Sequence, residues 1–245
     1  MLNLDNPIKL EARSLADLKE IEYKAEENGM LLLIIGGYAG RTYTLKGSWR
    51  PTKDMDFITI KENISLLYKI LKELGYELTK NKFGFKGIKK INSGDIKLDI
   101  SVDKIIDSSG SDKEYILPKD VFKKSVIMHV SESYEENKGL SVKARIAPIE
   151  DIIIMKLMTE REKDHFDAIA ILVDSFSKIN LDRFVLICKE SELTNHTRLR
   201  LENLLADTKK GLTKKVWKNW TGREFLTQQE TLLKGRLSKL IKSIS

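Results

Sequence analysis

Three acidic residues and a pair of glycines carry the chemistry in this sequence. Asp54 and Asp56 stand two apart in "DMDFITI", where they alternate with Met55 and Phe57. On a strand that spacing puts both carboxylates on one face. Like charges on one face repel unless something positive lies between them. Asp99, in "KLDIS", takes the polar face of a second strand and is flanked by Leu98 and Ile100. Three carboxylates on neighbouring strands form an oxygen-rich set that suits a hard cation such as Mg²⁺. Cations held in this way can activate an attacking hydroxyl and stabilise a leaving pyrophosphate. Asp99 can take the proton of that hydroxyl, with Asp103 as the alternative third acid. Gly36 and Gly37 supply a complementary feature. They follow the apolar run "MLLLII" and open a short helix, and glycine lets backbone amides approach a phosphate closely.

The surrounding elements can be read from pattern. Ser14 to Asn28 has helical spacing (Leu15, Leu18, Ile21), with Ser14 as N-cap and Gly29 as terminator. "MLLLII" is a buried strand, and "DMDFITI" is an alternating one. Asn63 to Leu74 is an amphipathic helix closed by Gly75. The segment from Gly75 to Asp103 breaks into several strands with glycine turns, and in the last of them Ile96, Leu98, Ile100 and Val102 alternate with polar residues. "SVIMHVS" and "LSVKARIA" are two further strands, paired through "ESYEENKG". After Pro148 the texture becomes helical, beginning with a long pattern that has acids at its start and a break near Lys163. The expected class is therefore α+β: a mixed-sheet domain over 1–147 with flanking helices, then a helical domain over 148–245.

Taken together, these features resemble the signature of the DNA polymerase β-type nucleotidyltransferase superfamily. They are an apolar strand, Gly-Gly, a short helix, Arg-x-Thr-x-Asp-x-Asp and a later apolar-Asp-apolar. The stretch from Arg50 to Phe57, "RPTKDMDF", is similar to the AbiEii-like group of nucleotidyltransferase toxins. So is "KLMTEREKDHFDAI", through Lys156, Arg161, Lys163, Asp164 and Asp167. The resemblance runs from about Leu31 to Leu172. It implies transfer of a nucleoside monophosphate from an NTP to an acceptor hydroxyl. Gly36 and Gly37 would then hold the triphosphate, and Asp54, Asp56 and Asp99 would bind Mg²⁺. Arg50 and Thr52 would lie near the phosphates. Lys156 would contact the nucleotide, and Asp164 would complete the last motif. Tyr38 stands where that group carries Thr or Ser. The glycine turn also resembles those of antibiotic nucleotidyltransferases and of tRNA CCA-adding enzymes, so the motif leaves the acceptor open. The group further implies a toxin role and an antitoxin partner. For Lys156, a structural ion pair with Glu160 is the competing reading.

Charge bears on the acceptor. The net charge of the chain is +7, but from Thr208 onward eight Lys and two Arg face two Glu, a net of +8, which leaves −1 for the rest. This region also holds Trp217, Trp220 and Phe225. Bases for phosphate and rings for stacking read as an RNA-binding surface that includes Lys214, Lys215 and Lys218. For any one of these residues the favoured reading is an amphipathic helix with its rings in the core and its Lys solvated; the RNA reading belongs to the net +8 as a patch. RNA, with a tRNA 3′ end foremost, is the expected acceptor. A protein, a small molecule, or an inactive NTP- or RNA-binding module are the alternatives. His129, His165 and His196 show no ligand spacing. The single Cys188, in "FVLICKE", reads as a buried thiol that forms no internal disulfide. No secretory h-region and no bilayer-length apolar run are present, so a cytoplasmic chain without membrane contact is expected.

Overall fold

Continuous and alternating apolar runs sort this chain into a mixed sheet and a set of helices, an α+β architecture. The computed structural model describes residues 5–107, 113–133 and 139–244. In chain order come α1 (Asp5–Glu27), β1 (Leu32–Ile35), α2 (Gly36–Thr42), β2 (Met55–Thr59), α3 (Ile64–Glu73), β3 (Glu77–Asn81), β4 (Gly84–Ile91) and β5 (Gly94–Val102). Next are β6 (Lys104–Ile106), β7 (Glu114–Ile116), the short α4 (Val121–Lys124), β8 (Val126–Ser131) and β9 (Ser141–Ile146). The helices α5 (Ile149–Met158), α6 (Glu162–Asp174), α7 (Leu181–Glu190), α8 (Thr194–Lys209), α9 (Leu212–Thr221) and α10 (Thr227–Ser243) complete the chain. Two compact units result. The first comprises Met1–Thr42, Pro51–Lys104 and Phe122–Ala147, and the second comprises Tyr43–Arg50, Ile105–Val121 and Pro148–Ser245. The segments 43–50 and 105–121 thus belong with the helices and not with the strands beside them in sequence.

The first unit is built on a seven-stranded sheet of order β3-β4-β5-β2-β1-β9-β8. β1 pairs antiparallel with β2 and parallel with β9, and β2 pairs parallel with β5. β1 lies inside the sheet and all four of its residues are buried, as a continuous apolar run requires. In β5, Ile96, Leu98, Ile100 and Val102 are buried while the alternate residues are not. The strands β8 and β9 pair antiparallel as the sequence suggests. Most of the turn expected between them, 134–138, lies outside the described residues. Helix α1 packs on β5 and β9, with Leu15, Leu18 and Ile21 fully buried. It starts earlier than expected, with Pro7 in its first turn, where a missing N–H is tolerated. Ser14 is therefore not a cap. It is buried within the helix, and its hydroxyl donates to the Lys53 carbonyl at 2.6 Å, tying down the residue before Asp54.

The second unit is helical. All ten residues of α5 are buried, in keeping with a helix that is apolar nearly all round. Its acids Glu150 and Asp151, expected only to complement the helix dipole, both meet the Arg183 guanidinium, at 3.2 Å for Glu150. Tyr115 donates to Asp151 at 2.6 Å. The helical pattern breaks at 159–161, slightly before the expected position. Cys188 is fully buried, which pushes its thiol up to about 11. Among the described residues, no helix is long and apolar enough to cross a membrane.

Two of the C-terminal rings take the core positions expected of an amphipathic helix. Trp217 and Phe225 are 2% and 4% exposed. Trp217 packs at 5.5 Å from Phe166 and 4.9 Å from Phe225, centroid to centroid. These two rings form core and offer no platform to a base. Trp220 is half-buried and donates its indole N–H to Glu162 at 3.1 Å. Lys214 pairs with Glu230 at 2.9 Å, and Lys218 pairs with Glu224. Trp217→Ala should therefore lower stability by about 3–5 kcal/mol. The check is the urea midpoint of the helical unit, where a surface stacking residue would give almost no shift.

Candidate active site

The strand register of the first unit sets the acids. Asp56 pairs with Ile35 on β1 and with Asp99 on β5, and Asp99 pairs in turn with Lys86 on β4. One row across four strands therefore reads Lys86, Asp99, Asp56, Ile35. Residues so paired stand on the same face of the sheet, about 5 Å apart. Asp103 falls beyond the end of β5, exposed and paired with Lys61 at 2.9 Å, so Asp99 is the neighbour of Asp56.

The glycine following Ile35 has a physical role here. Gly36 adopts a φ of +67°, and a Cβ placed on it would lie 1.9 Å from Asp56 Oδ2. Its missing side chain makes room for the Asp56 carboxylate, and its left-handed backbone independently favours glycine. Gly37 is the second residue of α2. Asp54 stands one residue before β2, and its Oδ1 is buried with no hydrogen-bond partner. Such an orphaned carboxylate oxygen is unfavourable unless something positive meets it. Thr52 is half-buried two residues upstream.

The three acids are not gathered as the sequence suggests. Among the described residues, no group of three His, Cys, Asp or Glu side chains is arranged to hold a metal ion. Asp99 has other neighbours within reach. Lys86 Nζ is 3.4 Å from its Oδ2, and Asn81 Nδ2 is 3.5 Å from its Oδ1. Burial raises the Asp99 carboxyl above the usual carboxylate value, and Lys86 pulls it back in part. Sequence reasoning missed Lys86. The signal was the two-residue turn Asn92-Ser93, because counting back from Ile91 opposite Gly94 sets Lys86 opposite Asp99.

The second unit brings Arg50, Lys156, Asp164 and Asp167 into one buried cluster, joined from an exposed position by Arg161. Lys156 Nζ lies 2.7 Å from Asp164 Oδ1 and 2.6 Å from Asp167 Oδ2. Arg50 meets Asp167 through two parallel bonds, Nε and Nη2, each 2.7 Å. Arg161 Nε and Thr159 Oγ1 reach Asp164 Oδ2 at 2.6 and 2.8 Å. Three cations thus share two carboxylates. The Arg50 guanidinium also lies 5.6 Å from the Trp220 ring centre. Lys156 does not pair with Glu160, which meets Arg200 at 3.2 Å instead. Arg50, Lys156 and Asp164 are therefore brought together, held by Asp167. Burial would lower the Lys156 ammonium, but the two carboxylates raise it on balance.

No protein-family model matches the chain, and no curated protein matches it. Solved structures similar to it include a crystal structure of ANT(2″)-Ia in complex with adenylyl-2″-tobramycin. It is 16% identical, with 74% of this chain and 97% of that one covered and a TM-score of 0.47. A solution structure of the antibiotic-resistance factor ANT(2″)-Ia is 17% identical, covering 82% of this chain and 97% of that one at a TM-score of 0.40. The lincosamide antibiotic adenylyltransferase LnuA, with lincomycin bound, is 15% identical, covering 64% and 94% at 0.41.

Asp164 allows a test of the buried cluster. Burial alone would raise its carboxyl, but Lys156 and Arg161 hold it well below the usual range. Its stabilising charge is then fully present above about pH 4, the ordinary carboxylate value, and is lost as pH falls through the lower folded value. Asp164→Asn should cost about 3–5 kcal/mol at pH 7 by stranding buried cations. Urea midpoints for the two proteins should converge as the pH is lowered toward 2. A gap independent of pH would exclude the ionised pair as its source.

Proposed function

We propose that this chain is a Mg²⁺-dependent nucleotidyltransferase that moves a nucleoside monophosphate from an NTP to the hydroxyl of a small molecule. The observation that carries the reading is the row of Asp56 beside Asp99, with the unpartnered Asp54 oxygen close in sequence and Gly36 cut away for Asp56. An all-oxygen donor set of this kind fits a hard divalent cation. Asp54 and Asp56 would hold it, and Asp99 would join after leaving Lys86. When bound, the cation would supply charge neutralisation for the phosphates and the leaving group.

The chain's own residues do the rest. The Asp99 carboxylate accepts the proton of the acceptor hydroxyl, and burial has already made it a stronger base than an exposed Asp. The acceptor oxygen forms a bond to the α-phosphorus. The bond from that phosphorus to the bridging oxygen of the β-phosphate breaks, and pyrophosphate departs with the electron pair. Lys86, freed from Asp99, is a cation for the incoming phosphates. In the second unit, the cluster of Arg50, Lys156 and Arg161 exceeds its two carboxylates by one positive charge, which suits an anionic substrate.

The RNA acceptor is the second reading. The net +8 of the C-terminal region favours it, and the packing of Trp217 and Phe225 in the core weighs against it. The toxin role and its antitoxin partner rest on the sequence resemblance alone.

Full-length protein, Mg²⁺ and each α-³²P-labelled NTP would be incubated with total cell extract. Products would be divided by size and by ribonuclease or protease treatment. A small labelled product resistant to both, with its rate reduced about 10²–10³-fold or more in Asp56→Asn, is the expected outcome. Label lost with ribonuclease would favour the RNA reading. Label unchanged in Asp56→Asn would remove the assignment of Asp56.

A further inference from the structure

A concavity lies in the first unit, on the opposite face of β5 from Asp99. Val102 lines it, and residues three apart on a strand face opposite ways. Its volume is about 820 Å³, within the range of small-molecule sites. The floor is aromatic and apolar. Its accessible aromatic surface comes from the half-buried Tyr68 and Phe83 rings, and the buried Phe85 and Val102 form the core beneath them, with Tyr68 meeting Phe85 edge-on at 5.6 Å. Ser65 on α3 and Phe83 line the cavity as well.

The rim is cationic. Lys61, Lys80 and Lys82 line it against a single acid, Asp103, so its formal charge is +2. Lys80 is the cross-strand neighbour of Phe85. The ammonium groups of Lys82 and Lys104 lie 5.1 and 4.5 Å from the centre of the Phe83 ring. Gly84 keeps the β4 wall tight against β5. Its φ is +152°, and a Cβ there would meet the Ile100 carbonyl oxygen at 1.9 Å. An apolar ring floor under a lysine rim is complementary to one chemical class: flat rings to stack on the floor, and a negative group to meet the rim.

We propose that this cavity binds a small planar aromatic molecule carrying an anionic group. It is separate from the acids proposed for catalysis, and its occupancy does not depend on that assignment. The probes are 8-anilinonaphthalene-1-sulfonate and N-phenyl-1-naphthylamine, which has the same rings without the sulfonate. Each is titrated by fluorescence into the full chain. Ser65→Trp fills the cavity from an exposed helix position. The pair Lys80→Glu, Lys82→Glu reverses the rim. The sulfonate dye should bind at one saturable site, weakened about tenfold or more by either variant, each tenfold being about 1.4 kcal/mol. The uncharged dye should weaken with Ser65→Trp and hold its affinity in the charge-reversal pair. Sulfonate binding untouched by Ser65→Trp would overturn the site. Equal losses for both dyes on charge reversal would overturn the anionic requirement.

Discussion

The pairing of β2 with β5 holds two carboxylates side by side, and the arrangement of the residues around them answers that repulsion. Asp56 and Asp99 occupy matching positions on adjacent parallel strands. At about 5 Å, two like charges near a surface repel by roughly 1–3 kcal/mol after solvent screening. The sheet can sustain this because its other face is rich in buried apolar side chains, with Ile96, Leu98, Ile100 and Val102 on β5 alone. It is also relieved locally. Lys86 draws Asp99 to one side, and Gly36 makes room for Asp56 on the other. Asp54 has no such relief for its buried oxygen. The register thus fixes Asp56 and Asp99 as neighbours, while Asp54 keeps one buried oxygen without a hydrogen-bond partner.

The second unit handles charge differently. Arg50, Lys156, Asp164 and Asp167 are buried, with Lys156 and Arg50 each bonded to Asp167 at 2.6–2.7 Å, while Arg161 reaches Asp164 from an exposed position. Burying such ions is unfavourable in itself, and the network holds only because every partner is present. Loss of Arg50 would leave Asp167 paired with Lys156 and with two hydrogen bonds fewer. A cluster of this kind fixes side-chain positions far more firmly than an exposed pair would.

How much of this was legible depended on the range of the signal. Period-two alternation located β2 and β5 and put Asp56 and Asp99 on one face, because the strand fixes side-chain direction residue by residue, whereas Asp54 stands one residue before β2. Glycines at 29 and 75, both with positive φ, marked helix ends for an equally local reason. Partners distant in sequence were harder to see. Asp167 lies eleven residues from Lys156 and 117 from Arg50, and no spacing rule links them. Trp217 sits among lysines that suggest a surface, yet its ring is turned into the core because one face of α9 must be buried. Lys86 was within reach, since a hairpin register follows from its turn, but required counting back from Asn92-Ser93. Ser14 was misread as a cap because an N-cap residue and a buried serine bonded to a distant carbonyl look the same in sequence.

The most direct test of the account is cation binding by the acids themselves. Mn²⁺ would stand in for Mg²⁺, followed by electron paramagnetic resonance in wild-type protein, Asp54→Asn and Gly36→Ala, each checked for an unchanged fold by circular dichroism. The account predicts a bound Mn²⁺ in the wild type. In Asp54→Asn its affinity should fall about tenfold or more, as expected for loss of a charged oxygen ligand. Gly36→Ala should also fall, because its methyl displaces the Asp56 carboxylate. Equal Mn²⁺ affinity in all three proteins would contradict the claim that these acids and this glycine form a cation site.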